Sequence, residues 1–139
     1  MKKYEILINE KKIIHYEKKY FGLKTSVVYR IKALIDFSDV KAGDLGGYIE
    51  REENLSQNGN CWVYNNGKVF NNAYVWGDTK IYDNAIVFED AKIWDEAKIF
   101  GNTTVSGNAE IFGNTEVSAS LICGDIRIGG RNNAIIYGR

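Results

Sequence analysis

Every sixth residue from Val63 to Val117 is valine or isoleucine: Val63, Val69, Val75, Ile81, Val87, Ile93, Ile99, Val105, Ile111 and Val117. These two types fill only 26 of the 139 positions, so ten matches in a row tightly constrain the fold. Two places before each lies a small residue, from Cys61, Gly67 and Ala73 to Thr103, Ala109 and Thr115. Two and three places after come pairs such as Gly77-Asp78, Asp83-Asn84, Gly101-Asn102, Gly107-Asn108 and Gly113-Asn114. The unit is small, any, Val/Ile, any, Gly/Asp/Asn, Asn/Asp.

A six-residue period excludes an α-helix, whose apolar positions recur every ~3.6 residues, and is too short for hairpins. It suits short strands joined by tight corners. Alternation along each strand turns the small residue and the Val/Ile inward and the two variable positions outward. Glycine, asparagine and aspartate at the corners tolerate positive φ best. Three sides close a triangular prism, with coils stacked at ~4.8 Å. The chain has no proline, although ~5% is usual, because nearly every strand amide must donate to the next coil. Fourteen glycines and fourteen asparagines, thirteen of the latter from Asn54 onward, supply the corners.

This pattern resembles the hexapeptide-repeat, left-handed parallel β-helix family. Ile99-Phe100-Gly101-Asn102-Thr103-Thr104 and Ile111-Phe112-Gly113-Asn114-Thr115-Glu116 fit its motif. The resemblance, not the period, supplies the handedness. After Val117 the register falters through Leu121, Cys123, Ile126, Ile128, Ala134 and Ile136. An irregular last coil that acts as a cap is expected there. Residues 1–54 lack the repeat and are assigned to an antiparallel β cap and leader, with the β-helix over 55–139. Short strands are expected at 4–8 and 13–16 around Asn9-Glu10, with a longer one over 26–37. The stretch from Phe37 to Glu50, with Glu53-Asn54-Leu55-Ser56 and Cys61-Trp62-Val63-Tyr64, resembles a leader of repeat proteins from bacteria and their phages. Such proteins are labelled only as transferases or left uncharacterised.

Composition narrows the function classes. Eighteen basic and eighteen acidic residues balance, whereas a general nucleic-acid binder needs a basic excess for phosphate contacts. No apolar run approaches the ~20 residues of a membrane span. Lys2 and Lys3 lead into charged residues rather than a long apolar stretch, which argues against a signal peptide and for a cytoplasmic setting. Cys61 and Cys123 form no CxxC pair, and a single histidine offers no zinc spacing. Both cysteines are expected to be buried, reduced thiols. No metal or cofactor is expected. Glu89-Asp90 and Asp95-Glu96 read as solvated corner carboxylates.

The outward positions sort by side. One side carries Tyr74 and Trp76, Lys92 and Trp94, then Glu110 and Phe112. The second carries Trp62 and Tyr64, Lys80 and Tyr82, Lys98 and Phe100, then Glu116 and Ser118. The third carries Lys68 and Phe70, Ile86 and Phe88, then Thr104 and Ser106. Trp76, Trp94 and Phe112 are expected to stack, as are Tyr64, Tyr82 and Phe100, which itself stabilises neighbouring coils. Three aromatic sides exceed the apolar area monomers usually expose, so a second copy or another partner is expected to cover one. The resembled family commonly forms homo-oligomers.

The resemblance also implies acyl transfer with a histidine base. His15, the only histidine, falls outside the coils, and no insertion interrupts the repeat from Cys61 to Asn114. His15 is therefore a weak catalytic candidate. The favoured expectation is a non-catalytic binding protein. Tyr74, Trp76, Lys92, Trp94 and Phe112 would engage a protein, because Trp and Tyr dominate interface hot spots. Lys80 and Lys98 beside Tyr82 and Phe100 offer charge and stacking to a small anionic, nucleotide-like ligand. The phage resemblance implies a role against host defence, as an inhibitor of a host protein or a sink for a signal. The alternatives are a hexapeptide-repeat acyltransferase and a self-assembling structural module.

Overall fold

The computed structural model describes residues 2–18, 21–119 and 121–130, and the backbone of 134–137. Its core is a β-solenoid whose parallel strands form three sides. The first side carries Tyr74–Val75, Lys92–Ile93, Glu110–Ile111 and Arg127–Ile128. The second carries Trp62–Val63, Lys80–Ile81, Lys98–Ile99, Thr115–Ser118 and Ala134–Tyr137. The third carries Lys68–Val69, Ile86–Val87, Thr104–Val105 and Leu121–Ile122. Neighbouring coils pair at the expected spacing, as in Lys80 with Lys98 and Tyr74 with Lys92.

The repeat dictates this packing. All ten periodic Val/Ile side chains are 0% exposed, in one continuous core with Ala73, Ala85, Ala91, Ala97 and Ala109. Strand amides donate to the following coil, for example Tyr64 N–H to Ile81 O at 2.8 Å and Trp94 N–H to Ile111 O at 3.0 Å. Positive φ recurs every six residues at Asn65, Asn71, Gly77, Asp83, Glu89, Asp95, Gly101, Gly107 and Gly113, between 54° and 73°. Several corner side chains clamp the next coil. The Asp83 carboxylate accepts from Gly101 N–H at 3.0 Å, Glu89 from Gly107 N–H at 2.8 Å and Asp95 from Gly113 N–H at 2.9 Å. Glu89 and Asp95 are thus structural clamps rather than merely solvated corners.

The N-terminal third differs in detail from the expectation. Instead of two strands around Asn9-Glu10, one strand, β1 (Tyr4–Lys18), runs through them with a register shift between Ile6 and Lys11. It pairs antiparallel with β2 (Gly22–Ala33), which pairs with β3 (Leu45–Ile49). β3 runs parallel to Lys68–Val69, so the hairpin extends the third side of the solenoid. Trp62, expected to point into solvent, is 1% exposed. Tyr4 and Phe37 pack on it at 6.1 and 5.3 Å and plug the end of the coil stack. A Cβ at Gly46 would meet Trp62 Cζ2 and Val63 O at 2.6 Å, so only glycine admits this plug.

At the other end the coil continues with a slip. Thr104 pairs with Leu121 and Glu110 with Arg127, one residue short of the eighteen-residue spacing. Alternation then turns Ile122 inward, 5% exposed, and leaves Leu121 and Cys123 on the surface. Cys61 is buried as expected, but Cys123 is exposed because of this slip.

Candidate functional site

The outward aromatic residues form ladders. On the first side Trp76 and Trp94 stack at 5.0 Å and 5°, and Trp94 and Phe112 at 4.9 Å and 12°. Tyr74 covers the Trp76 end at 4.6 Å, and Arg127 lies 5.2 Å over Phe112 while pairing with Glu110 at 3.0 Å. The rings spend their faces on one another, so a partner meets mainly ring edges. Lys92 is exposed, and its ammonium donates to Asp90 O at 3.4 Å.

On the second side Tyr82 and Phe100 stack at 5.2 Å and 6°, but Tyr64 stands edge-on to Tyr82 at 85°. Its hydroxyl donates to Asp39 at 2.8 Å, which turns the ring out of the expected ladder. That bond holds the Asp39 carboxyl below its ordinary range, with Lys80 at 3.7 Å assisting. Asp39, Tyr64, Lys80, Tyr82 and Lys98 surround a cavity of about 340 Å³. The two lysines are thus brought together, and an acidic neighbour accompanies them.

At least one of the three aromatic sides was expected to be covered by a second copy or another partner. Much of the third is covered by the chain itself. Tyr16 packs on Phe70 at 5.1 Å and Phe88 at 5.2 Å, and these two rings stack at 5.0 Å and 2°. The Tyr16 hydroxyl accepts from Asn71 Nδ2 at 3.1 Å, fixing the hairpin across the coils. Between hairpin and coils lies a groove of about 1160 Å³, bounded by residues 13–18 and by Lys68, Phe88, Ser106 and Leu121 among others. Ile14 and Tyr16 pack against its aromatic floor, whereas His15 is exposed at its rim. The His15 Nδ1 lies 3.3 Å from Thr25 Oγ1 across the hairpin.

At the head of this groove cations converge on one ring. Lys12 Nζ, the Arg30 guanidinium and Lys68 Nζ lie 4.7, 4.4 and 5.7 Å from the Tyr48 centroid. Burial, then Lys12 and Arg30, lower the Lys68 pKa. The outward sort of the repeat captured Lys68 alone, because the others lie on β1, β2 and β3, which no spacing links.

Among the described residues, no group of three or more His, Cys, Asp or Glu could hold a metal ion. No helix there is long and apolar enough to cross a membrane. No protein-family model matches the chain. Over 70 residues, 50% of its length, the chain is 43% identical to the uncharacterized acetyltransferase YdcK of Escherichia coli (strain K12). That stretch is 21% of the relative, so the chain spans about a fifth of that protein's length.

Proposed function

We propose that the chain is an acyl-transferring domain of hexapeptide-repeat type, the alternative that the family resemblance implies. The 43% identity over 70 residues to a protein named as an acetyltransferase carries this proposal. The groove beneath the hairpin would receive the acyl donor, and an acceptor amine or hydroxyl would approach its rim. His15 is the candidate base. In the tautomer whose Nδ1–H donates to Thr25 Oγ1, Nε2 takes the acceptor's proton as the acceptor attacks the thioester carbon. The new acyl–acceptor bond forms, the C–S bond breaks, and the imidazolium returns the proton to the departing thiolate.

A positioned base contributes ~10²–10⁴-fold. His15→Ala should therefore lower thiol release from acetyl-CoA by about a hundredfold or more, with the thermal midpoint unchanged. Wild-type protein that releases no thiol with any of a panel of amine and alcohol acceptors would remove acyl transfer.

The stacked ladders favour a second reading, a binding module without chemistry. Trp94 at the ladder centre and the Lys80–Lys98 cavity would then engage a protein or a small anion, and self-association would use the first side. Native mass spectrometry separates these outcomes. Retained ligand or a defined oligomer without turnover supports binding, and a bare monomer that also turns nothing over counts against both.

A further inference from the structure

We propose that the groove beneath the hairpin binds a single-chain anionic amphiphile, with its oxyanion head at Lys12 and Lys68 and its alkyl chain running over Ile86 and Thr104 to Leu121. This goes beyond the acyl-transfer proposal and does not rest on it.

The head site follows from charge that the chain leaves unbalanced. Three cations surround Tyr48, and among the described residues the one ion pair they make is that of Arg30 with Glu10, at 3.9 Å and with half the Glu10 side chain in water. Arg30 spends donors on Gly46 O and the Tyr48 hydroxyl, so its role is to hold the ring. Lys68 gives one donor to Asn66 O at 2.9 Å, and Lys12 stands over the ring. Cation–π attraction lowers the cost of gathering these charges, but their mutual repulsion remains. An oxyanion between the two ammonium groups would relieve it with charge-assisted hydrogen bonds.

The tail site follows from where the third ladder stops. Phe70 and Phe88 stack under Tyr16, and the next outward position along that column is Ser106, which contributes almost no bulk. Lys68 lines the same groove, so head and tail sites are continuous. Leu121, on the far coil, is 59% exposed although it faces this side. Three coil steps of ~4.8 Å separate Lys68 from Leu121, a span of ~14 Å that suits one extended alkyl chain. Phe88 and Ser106 are only 7% and 6% exposed, so the surface left to a chain is the Ile86, Thr104 and Leu121 column, which short acids such as acetate would leave uncovered.

Isothermal titration with octanoate, dodecanoate and dodecanol, each kept below its micelle concentration, tests the assignment. Dodecanoate should bind one to one and at least tenfold more tightly than octanoate, since each methylene entering the groove is worth up to about fourfold. Lys12→Ala with Lys68→Met should weaken dodecanoate at least tenfold and leave dodecanol unchanged. Ser106→Phe should extend the ladder into the groove and abolish binding of both. Leu121→Glu, on an exposed position that burdens no core, should do the same if Ser106→Phe fails to fold. Equal affinity for the two carboxylates, or wild-type binding by Leu121→Glu, would overturn the proposal. Binding without turnover would leave it standing and count against acyl transfer, and turnover of acetyl-CoA without dodecanoate binding would do the reverse.

Discussion

Three threonines occupy equivalent inward places, and they differ in one hydrogen bond. Thr103 and Thr115 donate to Phe100 O and Phe112 O at 2.6 Å, whereas the Thr79 hydroxyl is buried without a partner. Five of the ten equivalent places hold alanine, so the hydroxyl is not required there. Thr79→Val should stabilise the protein by about 1 kcal/mol, a rise of about 3–5 °C in a thermal scan. A midpoint unchanged or lower would refute this account of Thr79. The plug residues make a second expectation, in alkaline solution. Burial raises the Tyr4 pKa above its ordinary 10.0, and burial likewise lifts Cys61 above 9.0. Above about pH 9 the unfolded chain therefore sheds protons that the fold retains, and stability falls as pH rises. Lys3, whose ammonium donates to Cys61 O at 2.8 Å, is depressed by burial and acts with the opposite sign below 10.5. Tyr4→Phe should make the alkaline decline of a urea-unfolding series shallower, whatever it costs in the bonds to Leu55 O and Glu52 O.

Short strands of two residues have little stability of their own, so the ladders and the hairpin earn their place through packing. Trp94 sits between Trp76 and Phe112, and Trp94→Ala should cost about 1–3 kcal/mol in chemical denaturation. Tyr16→Ala should instead act locally. It removes the ring over Phe70 and Phe88 and the bond from Asn71, so amide exchange should quicken in the distal half of β1 and β2 while the coils stay protected. Uniform quickening would show that the hairpin is not a separable unit. The inward side of each coil could be read from the sequence because a strict period fixes every Val/Ile at once. The hairpin could not. Asn9-Glu10 has the composition of a turn, yet it lies inside β1 at a register shift, where pairing with β2 overrides local preference. The one-residue slip before Leu121 likewise changed which of Leu121, Ile122 and Cys123 faces inward, since alternation has no tolerance for a single deletion. The cation cluster on Tyr48 was invisible for a different reason: its members come from four strands distant in sequence.

A coil stack is stabilised by contacts between neighbours, so its ends and middle need not be equally secure. One end is closed by Tyr4, Phe37 and Trp62 against the core. The corner clamps run from Asn71 to Glu89 and from Glu89 to Gly107, and from Asp83 and Asp95 to Gly101 and Gly113. Past Gly101, Gly107 and Gly113 the positive-φ residue itself carries no side chain to clamp the next coil, and the Asn108 amide, which donates to Asp125 at 3.0 Å, is the corner link there. Native-state exchange should therefore show protection declining from the coil of Val63 towards that of Ile122, and a flat profile would contradict this. Net charge, zero over the chain, offers no long-range field to offset the gradient. The aromatic plug at one end, with the last carboxylate clamps ending at Gly101, Gly107 and Gly113 towards the other, gives the rod a mechanical polarity. Held by its two ends and stretched, it would peel coil by coil from the glycine-cornered end, and the aromatic plug would be the last part to yield.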